Sequence, residues 1–525
     1  MTKPLPIEDF APPFEQDSYP KKDEKNLKPF FTNLNKSAYV PLIFSPEVIG
    51  ALCSRTSRAA EDLRPIFLKE YIKPFLEKPK ETSQRVARLG GPPGTASSEA
   101  EPSDAVAGGK SGETGPADLE IDYGEHLREF IAFLQKHPIE EIFSNPQARG
   151  LYAKWLAQYG DDSIAQMSGM HVVYSGISQL AIKHFEDQRI GLAPIEKSTR
   201  YVDYSKKVNG GYMYYTDPTL KELGLEKEYR AAMDNLFETY IDLLPKLQDW
   251  LAKEFPKEKP GVIEKKAFDT LRGLLPVATL SQVAFFGNGQ AFEYMIARSL
   301  KHQLGEIRWA AQETLDELWK VTPSFLRRLK DDEGKETAEA YQEYMAGRGD
   351  RVAKFVDEIE SERVAQRSAE PSDAVARGKS GKTGPRGEVV QLTEYDPEGQ
   401  EKVIAGMLYN APNNQTSWEE TLAAVKEMDD SKKRDIIASY LAGRSQRWQK
   451  VGRAFENAYV RFDITMNIGS WRDLHRHRML TQQLQLWNSK HPALPIPTAP
   501  LSSKPRLFII KSPSTIHTSH NTQLP

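Results

Sequence analysis

Two stretches of this chain are nearly the same text: AEPSDAVAGGKSGETGP at 100–116 and AEPSDAVARGKSGKTGP at 369–385, which differ only at Gly108 against Arg377 and Glu113 against Lys382. Segments this rich in Gly, Ser, Pro and Ala bury too little apolar area to offset their ordering entropy, so both read as flexible loops. They are inserts in a fold and they part the chain into segments. The second copy includes ARGKSGKT at 376–383, which fits a loose phosphate-loop pattern. A working phosphate loop needs a buried strand before it and a helix after it; neither flank has that character, and the sister copy carries Glu113 at the lysine position.

A chain of 525 residues exceeds what one hydrophobic core usually holds, so two main domains are expected. Residues 1–38 are proline-rich and charged and read as an arm over the surface. The first domain then spans 39–330 with a flexible insert at about 90–118, and 331–387 is a linker holding the second insert. A second, smaller domain covers 388–490. Residues 491–525 contain no Asp or Glu and are crowded with Pro, Ser and Thr, the composition of a disordered tail.

Within the first domain the apolar residues Phe292, Met295, Ile296, Leu300, Leu304, Ile307, Ala311, Leu315 and Leu318 recur at three- and four-residue steps, which predicts one long helix over 291–319. Ile164, Met167, Val173, Ile177 and Leu180 predict another over 163–185. GYMYYTD at 211–217 and EVVQLTEY at 388–395 are the strand candidates, being rich in aromatic and β-branched residues. The fold class that follows is α+β with helices dominant.

Acids and bases nearly balance at a formal charge of -3, so no global field draws the chain to nucleic acid or to anionic lipid. Cys53 is the single cysteine, which excludes an intrachain disulfide and a cysteine-rich metal site and suits a reducing compartment. No apolar run approaches the roughly 18 residues of a membrane span, and the start has no signal-peptide core. A cytoplasmic protein acting on small molecules is expected, without nucleic acid, membrane or metal, and a homo-oligomer stays open.

Three constellations could carry chemistry. Glu196, Ser198 and Arg200 alternate, so an extended segment would present an acceptor, a hydroxyl and a guanidinium on one side, a set suited to a phosphorylated pyrimidine; a solvated strand edge or a cap is the alternative. Arg298 shares a helical face with Ala291, Tyr294, Met295, His302 and Trp309 and needs an anionic partner there, either a ligand or a glutamate from elsewhere. The run Arg472, Asp473, Leu474, His475, Arg476, His477, Arg478 lies shortly after Arg453 and Glu456, and such a cluster suits something bulky and anionic, a flavin or nucleotide phosphate, or else several acids.

At these residues the chain resembles the flavin-dependent thymidylate synthase (ThyX) family, whose signature reads RHR, two residues, Ser, four residues, Ser, any residue, Arg, usually followed by Tyr. Arg476, His477, Arg478 and Thr481 are similar to its front, with Thr for Ser. Glu196, Ser198, Arg200 and Tyr201 match its back. The family's Gly-His-x-Ser-x-x-Glu stretch is echoed by Gly160, Ser163 and Gln166, with His and Glu replaced. Its downstream pattern is echoed by Leu275-Pro276, Asn288, Arg298 and Glu306-Ile307, with Gln290 where an arginine belongs. The resemblance covers about 40–325 as a first copy and about 390–490 as the start of a second.

The first half lacks RHR in either register that can be drawn, and the second half has Gln482 to Leu486 where the ligand-binding Glu and Ser belong. What the resemblance implies is two diverged copies, each a ThyX-like sheet wrapped by helices, sharing a composite site. It implies FAD held by Arg476, His477, Arg478, Thr481 and Asn288, and dUMP held by Glu196, Ser198, Arg200 and Arg298, with Arg298 also catalytic. The implied reaction is reductive methylation of dUMP to dTMP, with methylenetetrahydrofolate and NADPH as co-substrates and no cysteine nucleophile. A flavin- or nucleotide-binding homologue without synthase activity is the alternative, because the later family elements do not follow Trp487.

Overall fold

In the computed structural model the described residues are 4–76, 123–137, 146–152, 164–187, 191–330, 335–361, 390–485 and 515–522, less single positions inside these ranges. The repeated inserts, the stretch around Gly160 and Ser163, and Arg478 lie outside them. In chain order the main elements are α1 (Lys21–Leu27), β1 (Ala38–Tyr39), α2 (Pro46–Thr56), α3 (Leu63–Phe67), α4 (Tyr123–Lys136), β2 (Gly169–Ser178), α5 (Gln179–Glu186) and β3 (Leu192–Glu196). They continue with α6 (Glu226–Glu254), α7 (Pro260–Leu271), β4 (Leu280–Asn288), α8 (Gly289–Ser299) and α9 (Gly305–Val321). The remainder comprises β5 (Val390–Tyr395), α10 (Gly399–Tyr409), α11 (Trp418–Lys426), α12 (Asp430–Tyr440), β6 (Val460–Asn467), α13 (Ile468–His475), β7 (Thr481–Leu484) and β8 (Thr515–Thr522). The chain is helix-rich with two small sheets, as expected of the class, and none of the helices among the described residues is long and apolar enough to cross a membrane.

Two compact units divide these elements. The first holds residues 1–177, 191–198 and 281–343, the second 178–190, 199–280 and 344–525. In the first, four strands run in the order β1-β2-β4-β3, with β1 antiparallel to β2 and β3 antiparallel to β4, in a register that sets Glu196 opposite Val283. Its core gathers Leu27, Phe30, Phe31, Tyr39, Leu52, Leu63, Ile66 and Val173. The N-terminal segment is therefore more than the surface arm its composition suggested. Leu27, Phe30 and Phe31 are few among charged neighbours, but they converge on one spot, and burial follows the convergence rather than the average.

The second unit holds the sheet β5-β6-β8-β7, whose pairs are all antiparallel. The expected strand at 388–395 is β5. Strand β8 falls inside the stretch whose composition suggested a tail. Beside the sheet stand the α6–α7 hairpin, with Tyr204, Tyr214, Phe237, Tyr240, Ala267 and Phe268 in its core, and the α10–α12 bundle, where Ile404 and Val425 are fully buried.

Three expected elements differ. The helix over 163–185 is strand β2 followed without a loop by the short α5, because Val172, Val173, Tyr174 and Ile177 are β-branched or aromatic and pack between strand neighbours. Ser178 caps α5 by accepting from the Ala181 amide at 3.1 Å. The helix over 291–319 breaks into α8 and α9. The Arg308 guanidinium draws the His302 and Gln303 carbonyls into the break, at 2.6 and 2.8 Å, and Gly305 lies so close to the Phe10 ring that a Cβ would stand 1.9 Å from it. Residues 211–217 make only isolated bridges, Val208 with Gly211 and Tyr214 with Thr279, because their aromatic side chains are spent on the helical hairpin.

Candidate functional site

In the first unit β3 ends at Glu196, which is buried. Beyond it the Lys197 amide donates to the Gln282 carbonyl at 2.7 Å and the Ser198 amide to the Ser57 carbonyl at 3.0 Å. The Lys197 ammonium is buried and donates to the Ala60 carbonyl at 2.9 Å. The chain turns at Thr199 and Arg200, so the extended alternation expected of Glu196, Ser198 and Arg200 stops after its first member. Asn288 is the N-cap of α8 and accepts from the Ala291 amide at 2.8 Å, which gives this side chain a structural task. Arg298 is in the last turn of α8. Next to it His302 accepts from the Leu304 amide through Nδ1 at 3.1 Å. Burial first, then the charges of Arg298 and Arg308, push its pKa down to about 4, so the ring is neutral beside two guanidiniums.

The second unit brings together pieces from distant parts of the chain. Arg472 on α13 is buried and donates through Nη1 to the Thr199 hydroxyl at 3.2 Å. Arg200 Nε is 3.0 Å from Asp269 Oδ1, which Arg272 Nε also meets at 3.1 Å, and Arg272 Nη2 reaches Asp473 at 2.8 Å. Two arginines, Arg200 and Arg272, thus share two aspartates, with Arg272 bridging both. Burial alone would raise the Asp473 pKa, but the hydrogen bond and charge of Arg272, then the charges of Arg476 and Arg200, bring it below the ordinary aspartate value.

His475 is buried against α5, with Nδ1 3.7 Å from Glu186 and Nε2 3.6 Å from Asp187. Burial, the largest influence, favours the neutral ring; the Asp187 and Glu186 carboxylates outweigh it and raise its pKa above the usual 6.5. Arg476, His477 and Thr481 are exposed at and beyond the C-terminal end of α13.

The structure therefore joins Thr199 and Arg200, from the back of the signature, to Arg472 and Asp473, just ahead of its front, inside one unit. The joining residues Asp269 and Arg272 were missed in the sequence, where nothing separates them from any other charged pair on a helix end. Within the basic run, Arg472, Asp473 and His475 reach Thr199, Arg272, Glu186 and Asp187. In the first unit, Gln166 donates through Nε2 to Gln290 Oε1 at 2.7 Å, so two positions that depart from the resemblance meet each other.

The described residues form an α+β chain whose second unit gathers Arg200, Arg272 and Arg472 around Asp269, Asp473 and Thr199. Residues 120–324 match the family described as thymidylate synthase complementing protein. A UPF0159 protein of Chlamydia muridarum (strain MoPn / Nigg) is 31% identical over 486 residues, which cover 91% of this chain and 77% of that protein. The chain belongs to this thymidylate synthase complementing protein family. A flavin-dependent thymidylate synthase of Mycobacterium sp. (strain JLS) is 25% identical over 221 residues, 40% of this chain and 81% of that protein. Among solved structures, a UMP/dUMP methylase PolB from Streptomyces cacaoi bound with 5-Br dUMP is 18% identical, covering 35% of this chain and 80% of that one, with a TM-score of 0.26, too low to carry weight for the fold or the site.

Proposed function

We propose that the chain is a FAD-dependent thymidylate synthase that methylates dUMP to dTMP with methylenetetrahydrofolate and NADPH as co-substrates, its two halves being diverged copies that complete one another. The observation that carries this reading is the network joining Thr199 and Arg200 to Arg472 and Asp473 through Asp269 and Arg272. Family membership and the flavin-dependent relatives supply the reaction class.

The residues present fit an anionic cofactor. Arg476 and His477 are exposed at the C-terminal end of α13. Elsewhere in the same unit the Gln179 side-chain amide and the Thr279 hydroxyl are buried, at 3% and 0% exposure, and have no hydrogen-bond partner among the described residues. Buried polar atoms left without partners cost on the order of 1 to 3 kcal/mol each, which makes them natural contacts for a polar ligand. Arg476 and His477 would hold the cofactor's phosphate; the resemblance assigns Arg478, Thr481 and Asn288 to the same cofactor. Bound flavin would supply the hydride.

The chain's own groups act by charge and position. Arg200 and Arg272 offer guanidiniums to a nucleotide phosphate while Asp269 and Asp473 fix their planes. Glu196, Ser198 and Arg298 stay in the reading as nucleotide-holding residues, Arg298 with the added task of stabilising charge on the pyrimidine. Cys53 is buried and its thiol is pushed up to about 12 by burial, so it is no nucleophile.

The test is spectroscopic and calorimetric. The purified protein should carry a visible flavin absorption band, Arg476→Ala should lose about 1.5 to 3 kcal/mol of flavin affinity, and Arg200→Ala should weaken dUMP binding. A colourless protein that neither takes up FAD nor binds dUMP ends the proposal. The second reading, a flavin- or nucleotide-binding relative without synthase activity, is favoured by the Gln166–Gln290 contact, where the resemblance leads one to expect Glu and Arg. Ligand binding without release of the dUMP C5 proton would establish it.

A further inference from the structure

Helices α5 and α13, both in the second unit, occupy the same place in chain order relative to two similar sheets. Each follows a long strand without a loop, each has eight residues, and each is followed by five residues, 187–191 and 476–480, before a short strand, β3 or β7. The sheets they serve share one strand order, β1-β2-β4-β3 and β5-β6-β8-β7. Counting along the helices pairs Lys183 with Arg472 at the fifth position and Glu186 with His475 at the eighth. All four side chains are buried, at 4%, 7%, 7% and 8% exposure.

The two helices meet at that eighth position. His475 Nδ1 is 3.7 Å from Glu186 Oε2, and Lys183 holds the same carboxylate from within α5. Where two identical helices meet at equivalent positions, each residue faces its own kind. Glu against Glu would bury two like charges, and His against His would bury two rings that cannot both be charged. Because the copies differ here, the contact is complementary only between α5 and α13.

We propose that Glu186 and His475 form a heterotypic helix pair that selects contact of α5 with α13 over contact of either helix with its own kind in a second copy of this chain. The inference rests on the two-copy reading above and needs neither flavin nor nucleotide chemistry. The groups around the ring all enter: Glu186 and Lys183 from α5, Asp187 just after it, Arg472, Asp473 and Arg476 from its own segment, and Arg272 through Asp473. The carboxylates favour the charged ring, so the pair is strongest when His475 is protonated. Its contribution is fully present below 6.5, the ordinary histidine value, and is lost as pH rises through the higher folded value.

Charge exchange in the full-length protein tests this. Glu186→His and His475→Glu are made singly and together, with His475→Gln as the conservative variant. Sedimentation velocity reads self-association, and hydrogen exchange reads protection of 179–186 and 468–475. Each single exchange should speed exchange of these helices by about tenfold and shift the protein toward self-association, while the double exchange, which keeps a carboxylate within reach of Lys183, should recover most of both. His475→Gln should abolish the difference in protection of 468–475 between pH 6 and pH 8. If Glu186→His does not fold, the other two variants carry the test by exchange alone. A double exchange as damaged as the sum of the singles, or His475→Gln with unchanged protection and pH dependence, overturns the pairing. Flavin and dUMP binding measured on the same samples separates its failure from failure of the enzymatic reading.

Discussion

Removing the Asp62 carboxylate should cost the first unit more than any single apolar truncation at its surface. Asp62 accepts from the Leu63 amide at 2.6 Å, the Tyr39 hydroxyl at 2.8 Å, Gln282 Nε2 at 2.6 Å, and Arg64 Nε and Nη2 at 3.0 and 2.9 Å. Arg64 is fully buried, 4.1 Å above the Tyr39 ring, and donates also to the Lys36 carbonyl at 3.1 Å. Asp62→Ala leaves that guanidinium buried without its counter-charge, a loss of about 3 to 5 kcal/mol. At roughly 2 to 4 °C per kcal/mol for a unit of this size, its unfolding midpoint should fall by roughly 6 to 20 °C. The same carboxylate holds Gln282, whose carbonyl takes the Lys197 amide, so the end of β3 that bears Glu196 should loosen with it. Thermal and urea unfolding read the loss, and Asp62→Leu with Arg64→Met together should return most of it, because an apolar pair removes the charge that the single variant strands. A single variant that loses less than about 1 kcal/mol, or a double variant worse than the single, refutes the reasoning.

His302, held near 4 by burial and by Arg298 and Arg308, must stay neutral in the folded chain, so its contribution is present above 6.5 and is lost as pH falls toward about 4. His302→Gln should flatten that acid slope in unfolding experiments. Gly305→Ala should cost about 1 to 3 kcal/mol through its clash with Phe10, and Phe10→Ala in the same chain should relieve part of it; additive losses would count against that contact. Arg272→Ala should free Asp269 and Asp473 together, raise the apparent pKa of Asp473 toward the ordinary value, and weaken dUMP binding with little change in melting; unchanged binding would remove this arginine from the site.

Helices α8 and α9 were readable, nearly to the end of α9, because their apolar positions keep helical spacing. What hid the break was that Leu300, Leu304 and Ile307 continue the period across it, while the contacts of the Arg308 guanidinium with the His302 and Gln303 carbonyls lie outside any apolar pattern. Strand β2 was misread for the opposite reason. Val172, Val173, Tyr174 and Ile177 satisfy helical and extended spacing alike over so short a run, and only the neighbouring strands decide between them. The aromatic run at 211–217 shows that β propensity measures a side chain's fit to a half-buried surface, which here is provided by α6 and α7 rather than by a strand.

The site was legible in its charged landmarks and illegible in its wiring. Arg200 and the basic run holding Asp473 could be marked from residue type and resemblance, whereas Asp269 and Arg272, which connect Arg200 to Asp473, become visible only when a helix end from the middle of the chain arrives between them. The meeting of Gln166 with Gln290 follows the same logic and says more. Each looked like an independent departure from the resemblance, one before β2 and one at the start of α8. In the folded chain they are a single event: two amides share a 2.7 Å hydrogen bond where a carboxylate and a guanidinium would have made an ion pair. The contact is exposed, so an ion pair in its place would be worth about 0 to 1 kcal/mol and a lone charge there would lose no more than that. Gln166→Glu and Gln290→Arg should accordingly be tolerated better in combination than singly, and a cycle of melting curves showing purely additive effects would mean that the two amides only happen to touch.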